Sequence, residues 1–95
     1  MRNYEAMIIL QPDLEEDARN ALVEKVQSFI LKDGAEVTDV NHWGTRRLAY
    51  EINDFRDGYY FLLKFAGKGT EIGELERNLK ITDGVLRYLV IREGE

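Results

Sequence analysis

The apolar positions change period along the chain, and the changes mark six elements. Residues 2 to 10 are rich in Ile and Met and predict a first strand. Pro12 ends it, Asp13 follows as an N-cap, and Glu16 completes a capping-box pattern. From Leu14 the spacing becomes helical, with Leu14, Ala18, Leu22, Val26, Phe29 and Ile30 on one face, Lys32 in the last turn and Gly34 as the residue past the end. A long second strand follows from about Ala35 to Ile52, bent at Trp43-Gly44, with Leu48, Tyr50 and Ile52 on a buried face. Residues 53 to 58 carry turn chemistry, so a hairpin leads into a third strand at 59 to 66. Gly67-Lys68-Gly69 closes that strand, and Thr70 caps a short helix with Ile72, Leu75 and Leu79 inward. Asp83-Gly84 turns the chain into a last strand, Val85 to Arg92.

The order β-α-β-β-α-β predicts an α+β, ferredoxin-like domain spanning residues 1 to 95, with two interleaved βαβ units. The four strands form one antiparallel sheet with both helices on one face. The other face is then uncovered, and charges sort the strand residues onto it. Lys64 places Tyr60 and Leu62 on the open side, leaving Tyr59, Phe61, Leu63 and Phe65 inward. Arg87 marks it with Leu89 and Ile91, while Leu86, Tyr88 and Val90 face the helices; Glu5 marks it with Met7 and Ile9. Met7, Ile9, Tyr60, Leu62, Leu89 and Ile91 therefore form an apolar surface larger than a monomer leaves wet, a protein-partner face rimmed by Arg2, Arg47 and Arg87.

Net charge is −5, which argues against a generic polyanion binder. Residues 13 to 39 hold eight acids against three bases, so the first helix region accounts for the whole excess and the rest is neutral. Nucleic-acid binding would have to be local. Zero cysteines exclude a disulfide scaffold and thiol chemistry, apolar runs such as Ala6 to Leu10 are too short to cross a bilayer, and with Met1-Arg2-Asn3-Tyr4 leading straight into the first strand no secretory signal peptide is expected. A cytoplasmic domain is expected.

Candidate catalytic chemistry is sparse. One histidine and no cysteine make no metal site, and no cofactor is expected. His42 has no nucleophile beside it and reads as a strand or bulge residue. Gly67 and Gly69 lack the phosphate-loop pattern, and Glu15-Glu16 lie on a helix surface. An RNA-recognition domain of the same topology needs stacking aromatics on strands one and three. Here Asp57 precedes the glycine of Gly58-Tyr59-Tyr60-Phe61-Leu62, and Lys64 stands where the final aromatic belongs. An acylphosphatase-like loop is replaced by Gln11-Pro12-Asp13-Leu14. The domain is expected not to be an enzyme.

The informative stretch is residues 42 to 52. On their own, Arg46 and Arg47 read equally as solvated charges or as an anion site. However, Gly44-Thr45-Arg46-Arg47-Leu48-Ala49-Tyr50-Glu51-Ile52-Asn53 strongly resembles the family of the sixth protein of the bacterial small ribosomal subunit. Met1-Arg2-Asn3-Tyr4-Glu5, Pro12 and Trp43-Gly44 fit that pattern too, and Glu51 departs from it where many members carry proline. The resemblance implies a structural ribosomal protein that binds the central domain of small-subunit ribosomal RNA as a heterodimer with small-subunit protein eighteen. Arg46 and Arg47 match its motif directly; Arg2, Arg87 and Arg92 are added as RNA contacts by position. The alternative from another class is a homo-oligomeric or small-ligand-binding regulatory domain using the same open face.

Overall fold

Strand β1 (Arg2–Leu10) alternates buried and half-buried residues, as a central strand covered by helices on one side does. Helix α1 (Glu16–Lys32), β2 (Glu36–Ile52), β3 (Phe55–Gly67), α2 (Ile72–Ile81) and β4 (Val85–Arg92) complete the chain in a computed structural model that describes residues 2–32, 34–70 and 72–93. The strands form one sheet in the order β2-β3-β1-β4, every pair antiparallel. Tyr4, Ala6, Ile8 and Leu10 of β1 and Tyr59, Phe61, Leu63 and Phe65 of β3 meet Val23, Val26 and Ile30 of α1 and Leu75 and Leu79 of α2 in one buried cluster. Each such aliphatic or aromatic side chain removed from water contributes about 1.5–3 kcal/mol. The ferredoxin-like arrangement read from the pattern is the fold.

Local details differ from expectation. Helix α1 starts at Glu16, two residues late, and its Arg19 N–H donates to the Glu15 carbonyl at 2.8 Å. Pro12 and Asp13 form a turn instead, beside Gln11, whose N–H is tied to the Gly84 carbonyl at 2.9 Å. The shifted start leaves Ala18 exposed and brings Val23 inward. The hairpin loop is only Asn53-Asp54, both with positive φ (50° and 69°), which is the signature of a two-residue turn whose twist matches its strands. Phe55 to Gly58 therefore belong to β3. In β4 a register shift opposite Ile9-Leu10 puts Val85 against the core, and Leu86 is not among the residues packed there. A bulge reverses the alternation that a regular strand would keep.

Candidate nucleic-acid and partner interface

Cross-strand pairing assembles the open face directly. Met7 lies opposite Leu62 and Leu89, Ile9 opposite Tyr60 and Arg87, and Glu5 opposite Lys64 and Ile91. Residues directly opposite share a face, so Met7, Ile9, Tyr60, Leu62, Leu89 and Ile91 lie together on the side away from the helices. Leu89 is 60% and Ile91 49% exposed, while Met7, Tyr60 and Leu62 are half-buried. Ile9 belongs to this face but is already covered, at 8% exposure.

Its cover is the end of β2. Regular pairing stops at Arg47 opposite Asp57 and resumes at Ile52 opposite Phe55, so Leu48 to Glu51 have only Arg56 across from them. The surplus residues arch over the open face. Leu48 is buried there, and a Cβ added to Gly58 would meet its Cδ2 at 3.2 Å and collide with Ile9 Cγ2. Tyr50 reaches β4, where its hydroxyl accepts a hydrogen bond from Arg87 and the guanidinium stands 5.8 Å from its ring centre. It is 61% exposed and is not a core residue, contrary to the alternation reading. That reading assumed flat pairing through residue 52, and the arch breaks it.

The bend at Trp43-Gly44 is a bulge: His42 pairs with Phe61 and Gly44 with Tyr60, leaving Trp43 as the extra residue. Gly44 takes φ +87°, a left-handed conformation open to glycine at little cost. Tyr59 anchors the bulge from below. Its hydroxyl hydrogen-bonds His42 Nδ1 at 2.7 Å, and Arg19 of α1 covers its ring at 4.3 Å. Trp43 itself is 43% exposed with the Arg46 guanidinium 5.4 Å from its ring centre.

The five arginines named from sequence do not form one patch. Arg46 lies opposite Gly58, whose missing Cβ points at Ile9, so Arg46 belongs to the open face and its neighbour Arg47 to the other. The two cannot clamp one anion from the same side. Arg87 joins Arg46 on the open face, in the row Gly44–Tyr60–Ile9–Arg87 that crosses the whole sheet. Arg2, two residues before Tyr4, and Arg92, opposite Tyr4, lie on the helix side at the far end. Arg2 is seven positions along β1 from Ile9, or about 24 Å, and stands far from Arg46 and Arg87. Because it points to the helix side, Arg2 does not rim the apolar face.

At that far end the open face is acidic. Lys64 Nζ stands 3.7 Å from Glu5 and 3.6 Å from Glu93, one ammonium between two carboxylates. A hydrogen bond with Glu93, then burial and the Glu93 charge, hold the Glu5 carboxyl above its ordinary value against the pull of Lys64. Sequence reasoning missed Glu93 and the roles of Trp43 and Tyr50. Alternation could have placed Glu93 on Glu5's face, but nothing local announces the arch. Among the described residues no group of His, Asp and Glu is arranged to hold a metal ion.

A model of the family described as ribosomal protein S6 matches residues 3–92. The chain is 48% identical over 95 residues to the small ribosomal subunit protein bS6 of Desulforamulus reducens, covering all of both chains. The fold superposes on the crystal structure of 30S ribosomal protein S6 from Thermotoga maritima with a TM-score of 0.91 and 33% identity, covering 97% of this chain and 87% of that one.

Proposed function

This chain belongs to the ribosomal protein S6 family, a structural component of the small ribosomal subunit and not an enzyme, and from that premise we propose that it binds small-subunit ribosomal RNA, in the central domain, together with small-subunit protein eighteen. Residues 1 to 95 act as one domain in this reading, on ribosomes in the bacterial cytoplasm. The observation that carries it is the polarised open face: an apolar centre of Met7, Tyr60, Leu62, Leu89 and Ile91, with Arg46 and Arg87 at one end and Glu5 and Glu93 at the other. An exposed apolar sheet surface of this kind fits a protein partner. The arginines at its edge suit phosphate oxygens, which position a protein on RNA.

The acidic balance of the chain fits the same division of labour. With net charge −5 it has no general field to draw in a polyanion, so a basic partner would supply much of the attraction. Arg2 and Arg92 would serve a second RNA contact at the far end of the sheet.

The test is a titration of a central-domain ribosomal RNA transcript with this chain, with protein eighteen, and with their equimolar mixture at fixed salt. The mixture is expected to bind more tightly than either protein alone, and a 1:1 complex of the two proteins should form without RNA. No RNA binding by the mixture would refute the reading, as would a tight homodimer of this chain that excludes the partner.

A further inference from the structure

We propose that the Trp43–Arg46 and Tyr50–Arg87 pairs are two stacking platforms for unpaired RNA bases, so that this chain recognises extruded or single-stranded nucleotides as well as phosphates. The inference rests on the RNA-binding reading and deepens it, because it names the kind of RNA structure taken and gives a role to Trp43 and Tyr50, the aromatics beside the arginines.

Three observations carry it. The first is exposure without packing need: Trp43 and Tyr50 are the two large aromatics left most open, 43% and 61%, while Phe61 and Phe65 are buried. The second is how they come to be exposed. Each sits where β2 departs from regular pairing, Trp43 as the extra residue of a bulge and Tyr50 on the arch, and bulges re-aim side chains. The third is that each ring already carries a guanidinium, Arg46 at 5.4 Å from its centre and Arg87 at 5.8 Å.

An aromatic face beside an arginine is a combination that holds a nucleotide by both its parts. The ring stacks the base, which every base permits because each has a π-face, and the guanidinium meets the phosphate or extends the stack. Sequence-specific RNA binding works mainly on bases splayed out of helices, since the deep groove of paired RNA is closed to side chains. Gly44, next to Trp43, and Arg87 stand at opposite ends of the row Gly44–Tyr60–Ile9–Arg87, about three strand spacings or roughly 14 Å apart, and Tyr50 reaches from β2 to the Arg87 end. Beside Tyr50 a shallow hollow of about 180 Å³, lined by Arg47, Glu51 and Arg56 among others, offers donors and an acceptor for base edges. Arg56 is paired there with Glu51 at 3.2 Å. The apolar surface beyond the row remains for the protein partner.

Trp43 is the only tryptophan, so it reports on its own platform. This chain is labelled with 5-fluorotryptophan, combined with unlabelled protein eighteen, and titrated with the central-domain transcript or with a fully paired RNA duplex of equal length. A stacked base shields the indole, so the single fluorine resonance should move upfield with the transcript and stay in place with the duplex. Trp43→Ala should weaken transcript binding about 5- to 150-fold, the equivalent of roughly 1–3 kcal/mol per stacked base, with the salt slope unchanged. Trp43→Phe should retain most of the affinity, and Tyr50→Ala should behave like Trp43→Ala. Transcript binding with an unmoved resonance, or a Trp43→Ala variant that binds normally or loses salt slope, would overturn the platforms and leave the RNA-binding reading standing. No transcript binding at any salt would overturn both.

Discussion

Gly58→Ala tests how tightly the open face is packed where Ile9 and the arch residue Leu48 meet Gly58. Gly58 is buried in β3 and does not have a positive φ, so its backbone accepts alanine. Taken alone, the exchange should stabilise by about 0.4–1 kcal/mol through the unfolded chain. The new methyl, however, runs into Ile9 Cγ2 and comes within 3.2 Å of Leu48 Cδ2. Leu48 can swing aside, but Ile9 is β-branched and cannot move Cγ2 without leaving its rotamer or shifting β1. Overpacking of that kind costs about 1–3 kcal/mol, so the clash exceeds the entropic gain and the net loss should be about 1–2 kcal/mol. For a domain of this size that lowers Tm by roughly 5–15 °C. Guanidinium unfolding should show a lower midpoint at unchanged slope. Combining it with Ile9→Ala, which removes the clashing methyl, should give a coupling of about 1 kcal/mol or more in a double-mutant cycle. A Gly58→Ala protein as stable as the wild type, or strictly additive with Ile9→Ala, would refute the close approach of Ile9 to Gly58.

Two other outcomes follow from the open face. Leu89→Lys should leave the unfolding midpoint within about 0.5 kcal/mol of wild type, since the side chain is 60% exposed, yet abolish the complex with the partner protein; unfolding of the domain would show that Leu89 is core. The raised Glu5 pKa means that the fold prefers its protonated form, so its favourable contribution is complete below the ordinary carboxylate range and lost as pH rises through the folded value. Glu5→Gln should therefore be at least as stable as wild type at pH 7, with the difference closing toward pH 4, and a variant weaker than wild type at pH 7 but not at pH 4 would contradict this.

What was legible in the sequence is what depends on period. The buried rows Tyr4-Ala6-Ile8-Leu10 and Tyr59-Phe61-Leu63-Phe65 and the open residues opposite them follow from strict alternation, and charge markers at Glu5, Lys64 and Arg87 assigned the faces correctly. Alternation fails wherever the residue count of two paired strands differs. Leu86 and Tyr50 were misplaced for that one reason, and the arch around Tyr50 depends on neighbouring strands: Leu48 closes on Gly58 of β3, whose Cβ position also meets Ile9 of β1. The Trp43-Gly44 bulge was readable because glycine announces it locally. The opposed faces of Arg46 and Arg47 follow from alternation too, but the motif invites reading them as a pair.

The central claim is that the arginine edge of this sheet meets RNA phosphates. Its most direct test is the salt dependence of central-domain transcript binding by the chain with its partner, comparing wild type with Arg46→Ala/Arg47→Ala. Both arginines are exposed, so the double variant should fold normally. It should bind more weakly, with a slope of log affinity against log salt reduced by about one for each lost phosphate contact. Identical affinity and slope at matched salt would contradict the account.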